Sequence, residues 1–548
     1  MSTINEFLSG KTLFVTGSTG FVGKGLVEKI LRQVPDVGRI YLFIRPRSRT
    51  SGNPLDAEDR LRREILGSSA FSELRRRNGD RFEEAVASKL VAVPGDLTHD
   101  RLGIDPILYE EMTQEVDIVV SIAATVVFDE PVDLALNLNV LGPQRLVELA
   151  RACRDAVLLH VSTAYVNGQL GGSIPETQLL PYETVAHRMG DGSAPDYDLE
   201  SEIESIRTFS AGLEEESRRE ALQDAFVRML DRQDRGKRVT EYRRTHQLEA
   251  LRRRWIHKQL VDEGMRRARH YGWHDSYTLT KAMGEQIITM SRGDLPTAIV
   301  RPSIIESSLV EPEPGWVEDL KVADPLIAHY GKGRLPGIPG DPSVVLDLIP
   351  VDIVVNALIA ILPRIRENGE LKIYHVATGS RNPLRLGEIT ELVYDYFKQN
   401  PMVDRKGEPI AVKRWRFTSP AGFRRRANLK YRLPLKTLGW LMDALPFLPW
   451  SSRFRRRLSV LEATLERVLA LSDTYSPYTH LNCCFDTRNT LQVLQELSEE
   501  DRQAFDFDVS RIKWPEYIQE IHIPGLKRHV LKAPDAAASR VPTGSIAS

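Results

Sequence analysis

Residues 11–23 read KTLFVTGSTGFVG, and this stretch decides the fold because three spaced glycines join an apolar run to a helical one. Residues 12–16 predict a strand and residues 23–34 predict a helix. The first glycine permits a tight turn, the second lets the backbone approach a pyrophosphate, and the third lets the helix pack on the strand. The phosphates then meet free N–H groups at the positive end of the helix dipole. The predicted dinucleotide contacts are Thr16, Gly17, Ser18, Thr19, Gly20, Phe21, Val22 and Gly23.

Further apolar runs follow along the chain and alternate with helical stretches. Their nearly continuous apolar character is typical of strands buried on both faces. The predicted strands are residues 39–44, 89–93, 116–122, 156–162, 297–300 and 373–377. This alternation predicts an α/β fold with a Rossmann-like, doubly wound parallel sheet.

Two stretches interrupt the alternation, and a third follows it. Residues 46–82 are charged and predict helices, and residues 190–273 are dense in Arg and Glu and predict a helical insertion. We predict a first, dinucleotide-binding domain over residues 1–381 and a second, mainly helical domain over residues 382–533. The small and polar tail, residues 534–548, is expected to be disordered.

The insertion and the residue directly after it contain four histidines without the spacing of a metal site, so we expect surface residues and no metal. They are His246, His257, His270 and His274.

Composition restricts the classes of function. The chain has 74 Lys and Arg against 75 Asp and Glu, so nothing in its net charge indicates nucleic acid as a partner. Three cysteines cannot form a disulfide framework, which indicates reduced thiols and a cytoplasmic protein. The start MSTINEFLSGK lacks the basic and apolar regions of a signal peptide, and no apolar run is long enough to span a bilayer.

The end of the second predicted strand selects the cofactor. An NAD site usually places Asp or Glu there to bind the ribose hydroxyls, whereas this chain has Arg45 and then Arg47. A guanidinium binds a 2′-phosphate in two-pronged fashion, so we predict NADPH. Four further cofactor contacts are expected at the ends of the third and fourth strands. They are Asp96, Leu97, Ala123 and Ala124.

A YxxxK pair and a hydroxyl predict the catalytic group. Tyr277 and Lys281 share one face of a helix, and a nearby ammonium is expected to lower the pKa of the tyrosine. Tyr277 could then protonate a carbonyl oxygen as hydride arrives at the carbon, while Lys281 also reaches the nicotinamide ribose. The fifth strand ends in Ser162-Thr163, and we assign the substrate-binding hydroxyl to Thr163 because neighbouring strand residues point to opposite faces. Tyr277 and Lys281 thus also contact the cofactor, and the backbone of Pro302, Ser303 and Ile304 is expected beside the nicotinamide carboxamide.

The order of these motifs along the chain, with the glycine loop first, then the hydroxyl and then the YxxxK pair, resembles that of the extended short-chain dehydrogenase/reductase superfamily. Longer stretches are similar to the fatty acyl-CoA reductases within it, over nearly the whole chain except the inserted helices and the tail. These are GKTLFVTGSTGFVGKGLVEKIL, VSTAYVNG, SYTLTKAMGE, VRPSII and, towards the C-terminus, LSEEDRQAFDFD and IKWPEY.

The resemblance implies reduction of long-chain acyl-CoA to fatty alcohol with two NADPH. It implies that Thr163 and Tyr277 stabilise and protonate the oxyanion, that CoA leaves, and that a second hydride reduces the aldehyde. An aldehyde-forming thioester reductase acting on acyl-CoA or carrier-bound chains remains an alternative. Two further alternatives are more distant. A nucleotide-sugar epimerase or dehydratase would need an acid where this chain has Arg45. A non-catalytic NADPH-binding module would not need the intact set of Thr163, Tyr277 and Lys281.

One stretch of the second domain has a separate interpretation. Residues 424–457 combine arginine clusters with an apolar run that prolines interrupt. Such a stretch fits a lipid surface, the phosphates of CoA, or an ordinary buried hairpin with solvated arginines. The inserted helices could roof the acyl-chain entrance, and the oligomeric state is left open.

Overall fold

The computed structural model describes most of the chain between residues 3 and 532. Within that span the described residues exclude 48–55, 191, 193, 234–239, 321–322, 336, 338, 369, 405, 436, 439–457, 464, 467–468, 470–471 and 474. The predicted tail therefore lies outside the described residues, as does part of the stretch 424–457.

A seven-stranded parallel sheet forms the centre of the molecule and confirms the predicted fold class. Its order is β10-β7-β5-β4-β1-β2-β3, so the chain winds outward in both directions from β1 and β4. These strands are β1 (Leu13–Thr16), β2 (Ile40–Ile44), β3 (Leu90–Pro94), β4 (Ile118–Ser121), β5 (Val157–Val161), β7 (Thr297–Pro302) and β10 (Lys372–Val376). Two small sheets use β6 (Gly172–Ile174) with β11 (Cys483–Phe485), and β8 (Ile304–Glu306) with β9 (Leu348–Pro350).

Both faces of the sheet are covered, which is why the strand sequences lack polar alternation. On β1, Leu13 and Val15 pack into one hydrophobic cluster, while Phe14 between them packs into another on the opposite face. The fully buried helix Val351–Ile361 lies with the first cluster, and Gly142–Ala152 contributes to the second.

Helices cover the sheet and form both the insertion and the C-terminal region. Up to the end of the insertion they are α1 (Ile4–Leu8), α2 (Phe21–Gln33), α3 (Ala57–Arg60), α4 (Ser72–Asn78), α5 (Phe82–Ala85), α6 (Pro106–Glu115), α7 (Val132–Leu136), α8 (Gly142–Ala152), α9 (Val185–Arg188), α10 (Leu199–Glu216), α11 (Glu220–Gln233) and α12 (Glu241–His270). The later ones are α13 (Ser276–Ser291), α14 (Asp324–Gly331), α15 (Val351–Ile361), α16 (Arg364–Asn368), α17 (Leu386–Gln399), α18 (Pro420–Ala427), α19 (Arg488–Gln495), α20 (Glu499–Ala504), α21 (Trp514–Glu516) and α22 (Ile523–Leu526). Wider, π-type turns extend several of them, at Leu61–Leu66, Asn137–Leu141, Asn428–Arg432, Tyr517–His522 and Lys527–Leu531.

The predicted insertion is helical and packs on the reductase core through its own hydrophobic cluster. Ile203 and Ile206 of α10, with Leu260 of α12, meet Leu279 and Met283 of α13 there. Salt bridges tie the inserted helices together, including Arg267 to Glu202 at 2.7 Å. The insertion thus supports α13, the helix that carries the YxxxK pair.

The C-terminal region returns to the centre of the molecule. Strand β11 pairs with β6, and Phe485, Phe505 and Tyr517 share the large hydrophobic cluster with the strands of the main sheet. Helices predominate after residue 382, while the boundary between residues 381 and 382 stays a prediction. Among the described residues, no helix is both long and apolar enough to cross a membrane.

Candidate active site

The glycine loop sits at the carboxyl end of β1, pressed against the end of β4. Gly17 has a φ of +74°, and a Cβ there would lie 2.8 Å from the backbone nitrogen of Ala123. A Cβ on Gly23 would lie 2.2 Å from the carbonyl oxygen of Gly17. The Thr16 hydroxyl oxygen accepts from the N–H groups of Ile122 and Ala123, at 3.0 and 3.1 Å. The two strand ends are therefore locked together, and only glycine fits the two tight positions.

The loop offers polar groups that suit a dinucleotide. The Ser18 side chain is fully buried, and its hydroxyl has no hydrogen-bond partner among the described residues. Gly20 is the N-cap of α2, and within the described part of the chain no side chain caps that helix. A buried hydroxyl beside an uncapped helix N-terminus fits a pyrophosphate, which accepts hydrogen bonds from both.

Arg45 and Arg47 lie at the open end of β2 with their side chains 55% and 61% exposed. The Arg45 guanidinium is 3.9 Å from a carboxylate oxygen of Asp96, and the Arg47 guanidinium is 3.7 Å from Glu64. These are loose, solvated contacts, so both guanidinium groups can turn towards a phosphate.

The other predicted cofactor residues differ in how open they are. One carboxylate oxygen of Asp96 accepts from the backbone and hydroxyl of Thr98, both at 2.9 Å. Leu97 is buried in the core, so its side chain does not face a cleft. Ala123 and Ala124 are half-buried after β4.

The predicted turn after β7 uses its backbone donors within the fold. Ser303 donates its N–H to the Val376 carbonyl, and Ile304 donates to the Asp347 carbonyl, both at 3.0 Å. Pro302 has no N–H. Only the carbonyl groups of this turn are left to meet a carboxamide.

Thr163 and Tyr277 come together, although 113 residues separate them along the chain. Asp275 caps α13 by accepting from the Thr278 N–H at 2.8 Å, which places Tyr277 in the first turn and Lys281 one turn later. The Thr163 side chain lies beside the Tyr277 phenol and acts to lower its pKa. The neighbouring Ser162 hydroxyl is buried without a partner among the described residues.

The electrostatics of Tyr277 differ from the sequence prediction. Burial raises the pKa of Tyr277 to about 12, whereas the YxxxK spacing predicts a lowered value. The reason lies in where Lys281 points: its ammonium donates to the Val161 carbonyl at 2.8 Å and lies 3.4 Å from the His160 ring. Burial outweighs the hydrogen bond from Thr163, so the phenol holds its proton firmly.

The pKa of Lys281 is shifted as well. Burial lowers the pKa of Lys281 to about 8, and the carboxylate of Glu285 opposes that shift. Burial and the adjacent Lys281 hold the pKa of His160 well below its usual value, so that imidazole is neutral. Glu285 is paired in turn with Arg301 of β7, with contacts of 2.5 and 2.9 Å. A buried charge network thus fixes the helix turn on which Lys281 stands.

An aromatic group surrounds the phenol of Tyr277, and no sequence motif indicated it. Phe128 packs edge-on against Tyr277 with ring centroids 5.9 Å apart, and it also contacts Tyr475 and Tyr478 of the C-terminal region. The Tyr478 hydroxyl donates to Asp275 at 2.6 Å across 203 residues of sequence. The C-terminal region therefore helps to hold the catalytic helix.

One of the four histidines, His274, does not lie on the surface as predicted. His246, His257 and His270 are exposed as predicted, but His274 is half-buried beside Tyr478, with ring centroids 5.8 Å apart. Burial lowers the pKa of His274 to about 4, which makes it a neutral part of the site wall. It was misassigned because it follows the insertion and belongs to the turn that leads into α13.

One buried group of possible metal ligands occurs among the described residues, formed by Glu306, Asp324 and His522. The His522 ring nitrogen lies 3.2 Å from a carboxylate oxygen of Asp324. This contact joins β8 and α14 to the C-terminal helices and lies outside the predicted catalytic group.

Family comparisons agree with this site. A model of an NAD-binding domain, described as Male sterility protein, matches residues 15–358, which is more than half of the chain. A second model with the same description matches residues 446–533.

Curated relatives match over nearly the full chain. Fatty acyl-CoA reductase 2, chloroplastic, of Arabidopsis thaliana is 36% identical over 96% of this chain and 80% of its own length. The alcohol-forming fatty acyl-CoA reductase of Simmondsia chinensis is 34% identical over 97% of this chain and 99% of its own. Among solved structures, the terminal R domain of the myxalamid PKS-NRPS pathway is similar in fold, with a TM-score of 0.53 and 17% identity over 96% of this chain and 93% of that one.

Proposed function

The chain belongs to the fatty acyl-CoA reductase family, and from that premise we propose that it reduces long-chain fatty acyl-CoA to the fatty alcohol with two NADPH. The observation that carries the proposal is the proximity of Thr163 to the phenol of Tyr277, with Lys281 one helix turn away. This is an oxidoreductase with a nicotinamide-binding domain; the substrate, the phosphate on the cofactor and the alcohol product are the proposed parts.

The reduced nicotinamide, when bound, supplies hydride to the carbonyl carbon. Thr163 and Tyr277 hydrogen-bond the carbonyl oxygen, stabilise its negative charge as it develops, and Tyr277 delivers a proton to it. The phenol of Tyr277 is protonated throughout the neutral range, as an acid role requires. The Lys281 ammonium, which points to the Val161 carbonyl, is assigned to the nicotinamide ribose, and a proton from solvent restores the phenol.

Collapse of the resulting hemithioacetal releases CoA as its thiol and leaves the aldehyde. The same Thr163 and Tyr277 groups then serve a second reduction to the alcohol. No enzyme-bound acyl intermediate is required. Burial raises the pKa of both Cys153 and Cys483 to about 12, so neither thiol is a ready nucleophile.

NADPH is favoured by the guanidinium groups of Arg45 and Arg47, which make only loose contacts with Asp96 and Glu64 and stand where an NAD site has a carboxylate. The same feature speaks against a nucleotide-sugar epimerase or dehydratase, which needs an acid there. An aldehyde-forming reductase would share this entire site and differ only in when the aldehyde leaves.

We also propose that the protein works in the cytoplasm against an anionic lipid surface. Its cysteines are free thiols, which suits a reducing compartment. Leu429 and Leu433, following α18, are 60% and 59% exposed among the basic side chains of that helix and turn. Exposed apolar groups beside arginines and lysines suit the boundary between lipid headgroups and acyl chains. The arginines at 453 and 455–457 lie outside the described residues.

The experiment that tests the proposed activity is oxidation of NADPH or NADH with acyl-CoAs of 6 to about 18 carbons, with products identified by mass spectrometry. Palmitoyl-CoA and NADPH are expected to give hexadecanol and free CoA. A preference for NADH would overturn the cofactor assignment, and reduction of no acyl-CoA would overturn the substrate assignment.

A further inference from the structure

A buried imidazole contacts the ammonium of Lys281 from the central sheet. His160 belongs to β5 and is 1% exposed, and its Nε2 atom lies 3.4 Å from the Nζ atom of Lys281. Its Nδ1 atom lies 2.9 Å from the hydroxyl oxygen of Ser121, the last residue of β4. Neither His160 nor Ser121 belongs to the groups assigned to the cofactor or to catalysis. Two neighbouring strands therefore supply a chain of polar groups that ends at Lys281.

The chemistry of these groups fixes which nitrogen of the imidazole carries the proton. An ammonium has only donors, so Nε2 of His160 must offer its lone pair to Lys281. Burial and the adjacent Lys281 hold the pKa of His160 well below its usual value, so the ring is neutral and carries its one proton on Nδ1. That N–H donates to the Ser121 oxygen. Ser121 thus keeps the imidazole in the one tautomer that can accept from Lys281.

The ammonium of Lys281 has three hydrogens, and the fold uses two of them. One is donated to the Val161 carbonyl at 2.8 Å and another to His160. Two fixed acceptors set the rotation of the ammonium about its carbon–nitrogen bond, so the third hydrogen also has a set direction. Within the described part of the chain no acceptor takes that third hydrogen, and it is left for a hydroxyl of the nicotinamide ribose.

The titratable groups around Lys281 lie on α13, β5 and β7. Glu285, one turn further along α13, opposes the effect of burial on the pKa of Lys281. Arg301 of β7 pairs with Glu285 at 2.5 Å. Tyr277, one turn earlier on α13, keeps its proton in the neutral range, and His160 is uncharged. A change at His160 therefore alters the hydrogen bonding of the ammonium without removing a charge.

We propose that His160 is a positioning residue, which holds the Lys281 ammonium in the orientation that binds the nicotinamide ribose, with Ser121 fixing the tautomer of His160. The proposal rests on the proposed function, because it takes the contact between Lys281 and the ribose from there. The cofactor meets an ammonium that is already aimed, so less freedom is lost on binding. A histidine that only filled the core would leave cofactor affinity and the pH dependence of Lys281 unchanged.

His160→Leu removes the acceptor and gives two readouts. NADPH is expected to bind about tenfold more weakly, whereas 2′,5′-ADP, which lacks the nicotinamide ribose, should bind within about twofold of its wild-type affinity. The midpoint of the fall of kcat/KM at high pH should move from about 8 to about 7, because the ammonium loses an acceptor that stabilises its charge. His160→Gln keeps an acceptor oxygen and is expected to restore NADPH affinity to within about threefold of wild type.

Two further variants separate positioning from simple loss of stability. Ser121→Ala removes only a hydroxyl, so it tests the proposal even if His160→Leu does not fold. It should weaken NADPH binding by about threefold, because the imidazole can then turn its N–H towards Lys281. Leu159→Val, at the neighbouring core position of β5, is the matched control. It is expected to lower the urea midpoint while NADPH affinity and the pH midpoint stay as in wild type.

Calorimetric titrations with NADPH and 2′,5′-ADP measure these affinities without any acyl substrate. Wild-type affinity for NADPH in both His160→Leu and Ser121→Ala, or an equal loss of affinity for NADPH and 2′,5′-ADP, would overturn the positioning role. A wild-type protein that reduces no acyl-CoA would overturn the proposed function alone, because the titrations still report on His160. If NADH is the cofactor, NADH and 5′-AMP take the place of the two ligands, with the same expected contrast.

Discussion

Tyr277 is the residue on which the chemistry depends most. Its phenol lies beside Thr163, and its pKa, raised to about 12, means that the phenol keeps its proton until a strong base draws it away. The hydride acceptor must therefore draw the proton away as its oxygen becomes negative, which is the behaviour of a general acid.

Tyr277→Phe is expected to lower kcat by about 10²–10⁴, because acid–base groups typically contribute that much. The ring stays, so its packing against Phe128 and the affinity for NADPH should remain within about threefold of wild type. Steady-state turnover with palmitoyl-CoA and a fluorescence titration with NADPH check the two halves. A loss of less than tenfold in kcat would assign the acid to another group.

Lys281 gives the activity a pH dependence with a defined sign. Its pKa of about 8 means that the ammonium, which we assign to the nicotinamide ribose, loses its charge as the pH rises through that value. We expect kcat/KM to fall by up to about tenfold per pH unit above 8 and to be flat below about 7 on account of this group. In Lys281→Arg this fall of kcat/KM at high pH should vanish, because a guanidinium does not titrate in that range. The same fall of kcat/KM in that variant would contradict the assignment of the pH dependence to Lys281.

Unfolding of the protein does not explain such a fall of activity at high pH. The pKa of Lys281 in the folded protein lies below its value of about 10.4 in an unfolded chain. Between pH 8 and 10 the unfolded chain therefore binds more protons, and this group's contribution to stability increases with pH. Activity and stability should diverge in that interval.

At the level of single residues, the sequence predicted what local spacing encodes. Thr163, Tyr277 and Lys281 follow from a strand end and from the i to i+4 relation on a helix. Tyr478 and Asp275 could not be paired, because they lie 203 positions apart and neither belongs to a motif. The direction of the Tyr277 pKa was wrong because the orientation of Lys281 depends on the Val161 carbonyl, which only the folded chain brings near.

Among the elements, the loop between β1 and α2 is the least tolerant of change. Gly23→Ala is expected to lower the free energy of unfolding by about 1–3 kcal/mol, because its Cβ would meet the Gly17 carbonyl oxygen. Gly212→Ala on α10 is the control: no atom lies within 4 Å of its Cβ, so it should raise stability by about 0.4–1 kcal/mol. Urea unfolding of the two variants measures both effects. Equal stability of Gly23→Ala and wild type would contradict the close contact.

The helix α18 and the turn that follows it carry the proposed lipid surface. Replacing Leu429 and Leu433 together by Ser is expected to lower binding to vesicles of phosphatidylcholine and phosphatidylserine by more than tenfold, since each leucine contributes about 1.5–3 kcal/mol when it leaves water. Ile107→Ser, at a still more exposed position on α6 (72%), should bind as wild type does. Co-sedimentation checks this, and a wild-type protein that stays in the supernatant would contradict the lipid surface.

Strands were predictable in proportion to their length. The seven strands of the main sheet are runs of four or more residues, nearly all buried, and the sequence showed each of them. The sequence did not predict the three-residue strands β6, β8, β9 and β11, because so few residues show no recognisable hydrophobic period. Their pairing matters nonetheless, since β6 and β11 bring the C-terminal region to the catalytic side.

Considered as a whole, the molecule closes its site with two regions that the dinucleotide-binding core does not contain. The insertion packs on α13 from one direction, and the C-terminal region brings Tyr475 and Tyr478 to the other. Charge and composition indicated a protein without nucleic-acid partners, but they could not show which regions meet. Long-range packing is set by complementary shapes, which a single sequence does not display.

The central claim is that one site reduces an acyl-CoA twice. The most direct test counts NADPH oxidised per CoA thiol released during complete turnover of a limiting amount of palmitoyl-CoA. The account predicts a ratio of two, with hexadecanol as the product. A ratio of one, with hexadecanal accumulating, would contradict it and identify an aldehyde-forming enzyme.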